Sequence, residues 1–183
     1  MLEKYLIEHC SPTLASLKTA NLFTLEFSHE AELDRSIRTW NSNFLSKGVM
    51  LLILRKSGGR ALIYVCRKRL LQRDLKRTGV EGFLRNYGYT GTDVNTALAT
   101  LKLRLEQSEE FPHEIGIFLG YPLGDVIGFI ENAGRNSKCT GCWKVYCNEC
   151  EAVKTFKRYK KCKDVYMRLW KQGKSVWQLT VAA

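Results

Sequence analysis

Apolar residues change their spacing several times along this chain, and each change marks an element. Leu2 to Leu17 is apolar at helical spacing, but Ser11-Pro12 predicts a break, because proline suits the first turn of a helix and disturbs an interior. Two short helices are therefore expected at the start. Leu22 to Phe27 (LFTLEF) alternates apolar and polar residues as a half-buried strand does. Ser28 is then placed to cap a helix with Glu30 and Glu32 in its first turn and Leu33, Ile37, Trp40 and Phe44 as its buried stripe. Gly48 ends that helix.

Val49 to Leu54 and Ala61 to Cys66 are apolar, partly β-branched runs around Lys56-Ser57-Gly58-Gly59, a hairpin signal. Leu70 to Arg77 and Val80 to Asn86 read as helices, the second stopping at Gly88. A longer helix follows Thr92, with Val94, Leu98, Leu101 and Leu105 on one face. Ile115 to Leu119 reads as a central strand, Leu123 to Asn132 as a helix closed by Gly134, and Trp143 to Tyr146 as a further strand. The last long helix is expected over Glu149 to Trp170, burying Ala152, Phe156, Tyr159, Cys162, Tyr166 and Trp170. Ser175 to Val181 completes the chain as an edge strand or short helix.

These elements predict an α+β (mixed α/β) fold: a small mixed sheet that includes one β-hairpin, flanked by helices. A length of 183 residues with 45% hydrophobic content suits a single domain over 1–183. No apolar run approaches the roughly 18 residues of a membrane span, and Met1 to Cys10 lacks the order of a signal peptide. A cytoplasmic location is expected. There, seven cysteines are more plausibly thiols or metal ligands than a disulfide framework.

A net charge of +11 favours anionic partners and is concentrated in two places. Arg67 to Arg77 (RKRLLQRDLKR) sets six basic residues against Asp74, and Lys154 to Lys174 sets nine against Asp164. Each is either a solvated helix face or an anion site. Candidate anion-binding residues are Arg67, Lys68, Arg69 and Arg73 in the first, and Lys157, Arg158 and Lys161 in the second. A nucleic-acid-binding module using segments 67–77 and 154–174 would need only such charge for phosphate contacts. The chain has no helix-turn-helix, RRM or KH signature.

Cys139, Cys142, Cys147 and Cys150 form two Cys-x-x-Cys pairs, candidate ligands for zinc or an iron centre. The WKVY segment between the pairs, if extended, holds Cys142 and Cys147 about 16 Å apart at roughly 3.3 Å per residue. Sulfurs sharing one zinc lie within about 4 Å of each other, so a single closed site needs that segment to fold back. Local disulfides or free thiols are the alternatives.

FPHEIGIFLGYPLGDVIGFIENAG, from Phe111 to Gly134, places His113 and Glu114 before an apolar run and Tyr121 in a turn ahead of a helix carrying Asp125. A strand-turn-helix of this kind gathers ligands, and its helix start favours anions; Asp125 opposes an anion there and suits a helix cap or a cation or hydroxyl contact. Extended backbone would send His113 and Glu114 to opposite faces, and the second histidine of HExxH is lacking. His9, Cys10 and Lys18 form a further candidate group for a metal, a haem or an activated thiolate. A thiol-dependent enzyme centred on Cys10 or His113 has no Ser-His-Asp, P-loop or Rossmann pattern behind it.

HCSPTLASLKTANLF, the FPHEIGIFLGYP block, WKVY and FKRYKKCKDVY together resemble an uncharacterised, mostly clostridial family of small Firmicute proteins, a domain of unknown function. The resemblance spans nearly the whole chain. It implies one intact domain in an intracellular, often anaerobic setting, with a flavodoxin-like or other acidic protein as a partner. It also implies a metal- or ligand-binding accessory role in iron or redox physiology. The paired cysteines depart from the family pattern, which reads G-x-WKVYG, so any metal site they form is particular to this chain.

Overall fold

The computed structural model describes residues 2–108 and 110–182. The chain divides into two compact units, one running to Leu71 and resuming at Cys162, the other spanning Gln72–Lys161. The fold class is α+β, with a three-stranded antiparallel sheet, a two-stranded ribbon and flanking helices.

In the first unit, helix α1 (Leu2–Leu14) is unbroken, with Pro12 inside it, against the expected break. Proline removes one amide donor, and this helix ends two residues later, so little of the ladder is lost. The Ser11 hydroxyl donates to the Ile7 carbonyl, and the Pro12 carbonyl accepts from the amides of Leu17 and Lys18. Strand β1 (Ala20–Glu26) follows, then helix α2 (Glu30–Phe44). The residue preceding α2 is His29 rather than Ser28, and it makes no side-chain cap. Leu33, Ile37 and Phe44 of α2 are buried, as its stripe requires, and Trp40 packs half-buried against them.

Strands β2 (Val49–Ser57) and β3 (Arg60–Arg67) form the expected hairpin. Gly58 and Gly59 turn it at φ +56° and +73°, the left-handed pair that a two-residue turn between twisted strands needs. The sheet order is β1-β3-β2 and every pairing is antiparallel; a bulge at Leu54 interrupts the β2 register. At the β2 edge, the Asn41 amide of α2 donates to the Leu51 carbonyl at 2.9 Å and accepts from the Leu51 amide at 2.7 Å. Lys56 joins the same helix through Glu30 at 2.7 Å and Asp34 at 2.8 Å. The core beneath the sheet holds Leu6, Ile7, Phe23, Phe44, Leu51 and Ile63. The chain's last element, α9 (Val176–Leu179), is a short helix opened by a Ser175–Gln178 capping box.

Helices α3 (Lys68–Leu75) and α4 (Val80–Arg85) lie close to their predicted positions, and α5 (Val94–Gln107), capped by the Asp93 carboxylate, buries Val94, Leu98, Leu101 and Leu105. The expected central strand Ile115–Leu119 is instead a short helix, α6 (Ile115–Phe118), with all four residues buried. A short apolar run has no period that separates a buried strand from a buried helix, and here the amide of Leu119 bonds the carbonyl of Ile115. The sheet thereby loses the strand that would have made it mixed.

Helix α7 (Leu123–Glu131) follows, closed by Gly134 as expected. The predicted strand Trp143–Tyr146 shrinks to β5 (Lys144–Val145), paired with β4 (Cys139–Thr140). Gly128 of α7 lies directly under Tyr146, where an added Cβ would come within 2.5 Å of the ring. Helix α8 (Glu149–Lys171) is one uninterrupted run of 23 residues.

Candidate nucleic-acid interface

Buried polar groups have to be paired, and the two carboxylates of the central block meet that demand internally. Glu114 is 1% exposed; it accepts from Arg104 Nε of α5 and from the Tyr89 hydroxyl at 3.2 Å. Burial, and then the Glu114 charge, push the Tyr89 hydroxyl pKa upward. His113, the preceding residue, is exposed and packs its ring 4.9 Å from Phe129. The pair does point apart, although the backbone there is not extended.

Asp125 is 2% exposed and neither caps its own helix nor faces an open site. It accepts from Trp143 Nε1, the Tyr146 amide and the Cys147 amide, each at 2.8 Å. Sequence reading had no signal for this, because the three donors come from residues 18 to 22 positions away. Their effect is to pin the β4–β5 ribbon to α7. Tyr121 stacks on Trp143 with ring centroids 4.9 Å apart and donates to the Cys142 carbonyl at 3.2 Å. Burial pushes its pKa up to about 12.

The four clustered cysteines lie along this ribbon and the start of α8. Cys139 is half-buried, while Cys142, Cys147 and Cys150 are exposed. Desolvation and then Asp125 raise the Cys147 pKa; desolvation, then Glu149 and Asp125, raise that of Cys139. Among the described residues, no group of three or more His, Cys, Asp or Glu side chains is placed to hold a metal ion. His9 and Cys10 also separate. Cys10 is fully buried in the first unit, where burial raises its pKa and the neighbouring charge of Lys18, itself buried, offsets only part of the rise. His9 is exposed and stacks on Phe23 at 5.6 Å, its pKa lowered by burial and by Lys163.

The basic segments diverge more sharply. Arg67, expected as an anion ligand, is 3% exposed and spends its guanidinium on carbonyls. It donates to Thr13 at 2.7 Å, Leu14 at 2.6 Å, Val181 at 2.8 Å and Lys47 at 3.1 Å. Arg73 and Arg77 pair with the buried carboxylate of Asp74 at 3.6 and 2.6 Å. Lys68 and Arg69 remain exposed.

On α8, Lys154, Lys157, Lys160, Lys161, Arg168 and Lys171 are all exposed. At about 100° per residue they fall within an arc of about 120°, on a stripe about 26 Å long. Asp164 is the one acid within that arc. Arg158 and Lys163, also exposed, flank the stripe. Lys154 pairs with Glu151 at 2.8 Å, and none of the other stripe cations makes an ion pair among the described residues. Lys160, Arg168 and Lys171 are not among the individually named sequence candidates, although Lys160 lies three residues after Lys157, and Arg168 and Lys171 lie two and nearly three helical turns after Lys161, which already signals one face.

Among the described residues no helix is long and apolar enough to cross a membrane. No curated protein and no solved structure matches the chain. One family profile matches residues 6–180, and on that match the chain belongs to the family described as protein of unknown function, DUF3793.

Proposed function

We propose that this protein binds nucleic acid through phosphate contacts made by the exposed cationic stripe of α8. The observation that carries the reading is that Lys157, Lys160, Lys161, Arg168 and Lys171 share one solvent-facing side of a continuous helix with no carboxylate paired to them among the described residues. Five unpaired cations on one helix lower the local potential cost of a polyanion and leave counterions to be released when it binds. A cytoplasmic protein of this charge would meet such polymers there. Binding of a labelled polynucleotide, followed by fluorescence anisotropy at rising salt, tests the reading. Retention at about 50 mM salt that weakens steeply by about 200 mM is expected. The double change Lys157→Glu and Lys161→Glu should weaken it at least tenfold. No binding at low salt, or equal binding by the double variant, sinks the proposal.

A second reading is favoured by the exposure of Cys142, Cys147 and Cys150: a thiol site for zinc, an iron centre or redox chemistry in an accessory protein. Elemental analysis of anaerobically purified protein, before and after Cys142→Ser and Cys147→Ser, decides it. A flavodoxin-like or other acidic protein captured by the α8 stripe in preference to polynucleotide would instead point to protein partnership.

A further inference from the structure

Resting on the nucleic-acid reading, we infer that the ligand is a duplex, DNA or RNA, held by its phosphates without regard to base sequence. The helix faces divide the chemistry cleanly. Tyr159, Tyr166 and Trp170 lie on the side of α8 opposite the stripe, Phe156 lies on its flank, and all four are half-buried. Phe156 meets Trp143 edge-on at 4.6 Å and covers Gly141, where an added Cβ would come within 2.2 Å of its ring. Tyr166 and Trp170 pack against the core of the first unit. The cationic face carries no aromatic residue, so it offers nothing on which an unstacked base could lie.

Proteins that hold single strands without sequence preference combine charge with such stacking platforms, worth about 1–3 kcal/mol per base. A face that supplies charge alone gains most where phosphates are densest. A duplex presents one charge per roughly 1.7 Å of axis, against roughly 3.4 Å for one of its strands. Stiffness adds to the preference: a duplex with a persistence length of about 50 nm need not be ordered on contact, whereas a flexible strand would have to be.

The test uses the full chain, a 24-base-pair duplex and its separated strand, each made as DNA and as RNA and in two unrelated sequences. Duplex binding at least threefold tighter than strand binding is expected, with the two sequences within twofold of each other. The slope of log affinity against log salt should be about −4, near −0.9 per phosphate neutralised. The triple variant Lys157→Ala, Lys161→Ala, Arg168→Ala, with an unchanged thermal melt, should flatten that slope by about 2.7. Preference for either the DNA or the RNA duplex sustains the inference and names the source of the phosphates. Tighter binding of the strand, or a tenfold difference between sequences, overturns it while leaving nucleic-acid binding intact. Failure of both polymers to bind at low salt removes the proposed function as well.

Discussion

The segments 67–77 and 154–174 are nearly equivalent as sequence, each a dense basic run with one acid inside it, and the structure puts them to opposite uses. In the first, the guanidinium of Arg67 is a fastener, closing four carbonyls drawn from α1, the end of α2's loop and the tail after α9. In the second, the cations face water, and apart from Lys154, which pairs with Glu151, none makes an ion pair among the described residues. A cation's position in a charge run therefore says little about its role; what decides is whether acceptors without partners lie within its reach.

Removing Arg67 should break this comparison most visibly. Arg67→Ala leaves the carbonyls of Thr13, Leu14 and Val181 without their guanidinium donor and is expected to cost about 3 kcal/mol or more, read as a lower urea midpoint. Arg67→Lys should recover only part of that, since an ammonium cannot reproduce the planar fork. If Arg67→Ala unfolds at the wild-type urea concentration, the fastening role is wrong. Arg77→Ala comes next. It takes the nearer cation from buried Asp74 and leaves Arg73 at 3.6 Å, with an expected loss of about 1–2 kcal/mol because Arg77 itself is partly solvated.

Changes on α8 should do the reverse. Lys157→Ala, Lys161→Ala and Arg168→Ala together are expected to move stability by no more than about 0.5 kcal/mol in chemical denaturation while weakening polyanion binding. A large loss of stability would assign those cations a structural role after all. The smallest effect concerns Lys163, the α8 cation beside His9. Burial first, and Lys163 second, hold the His9 pKa below 6.5, so folding favours the neutral ring. The stability this contributes is complete above that value and is lost as pH falls through the folded-state pKa. An NMR titration of the imidazole should show a pKa below 6.5 that moves upward in Lys163→Ala; no movement would remove Lys163 as a cause.

Much of the fold was legible because local chemistry dictated it. Gly58-Gly59 between two β-branched runs leaves few options besides a hairpin, and the leucines of α5 repeat at a spacing that only a helix satisfies. Ile115–Leu119 was misread because burial on all sides erases periodicity, and Pro12 because the cost of a helical proline depends on how much helix follows. The site residues were harder. Glu114, Asp125 and Arg67 look like ligand-binding groups in sequence and turn out to serve partners far along the chain, which no spacing rule reveals. The α8 stripe, by contrast, could have been read in full from its three- and four-residue repeat.

The bidentate grip of Asn41 on Leu51 carries a consequence for life at high concentration. An outer strand with a free donor and acceptor is a template on which another polypeptide can lengthen the sheet, the first step toward fibrous aggregates. Here a primary amide imitates the missing neighbour at that position, so the template is occupied before any second molecule arrives. Asn41→Leu would uncover it, and the expected signature is growth of insoluble β-rich material during storage of an otherwise folded protein.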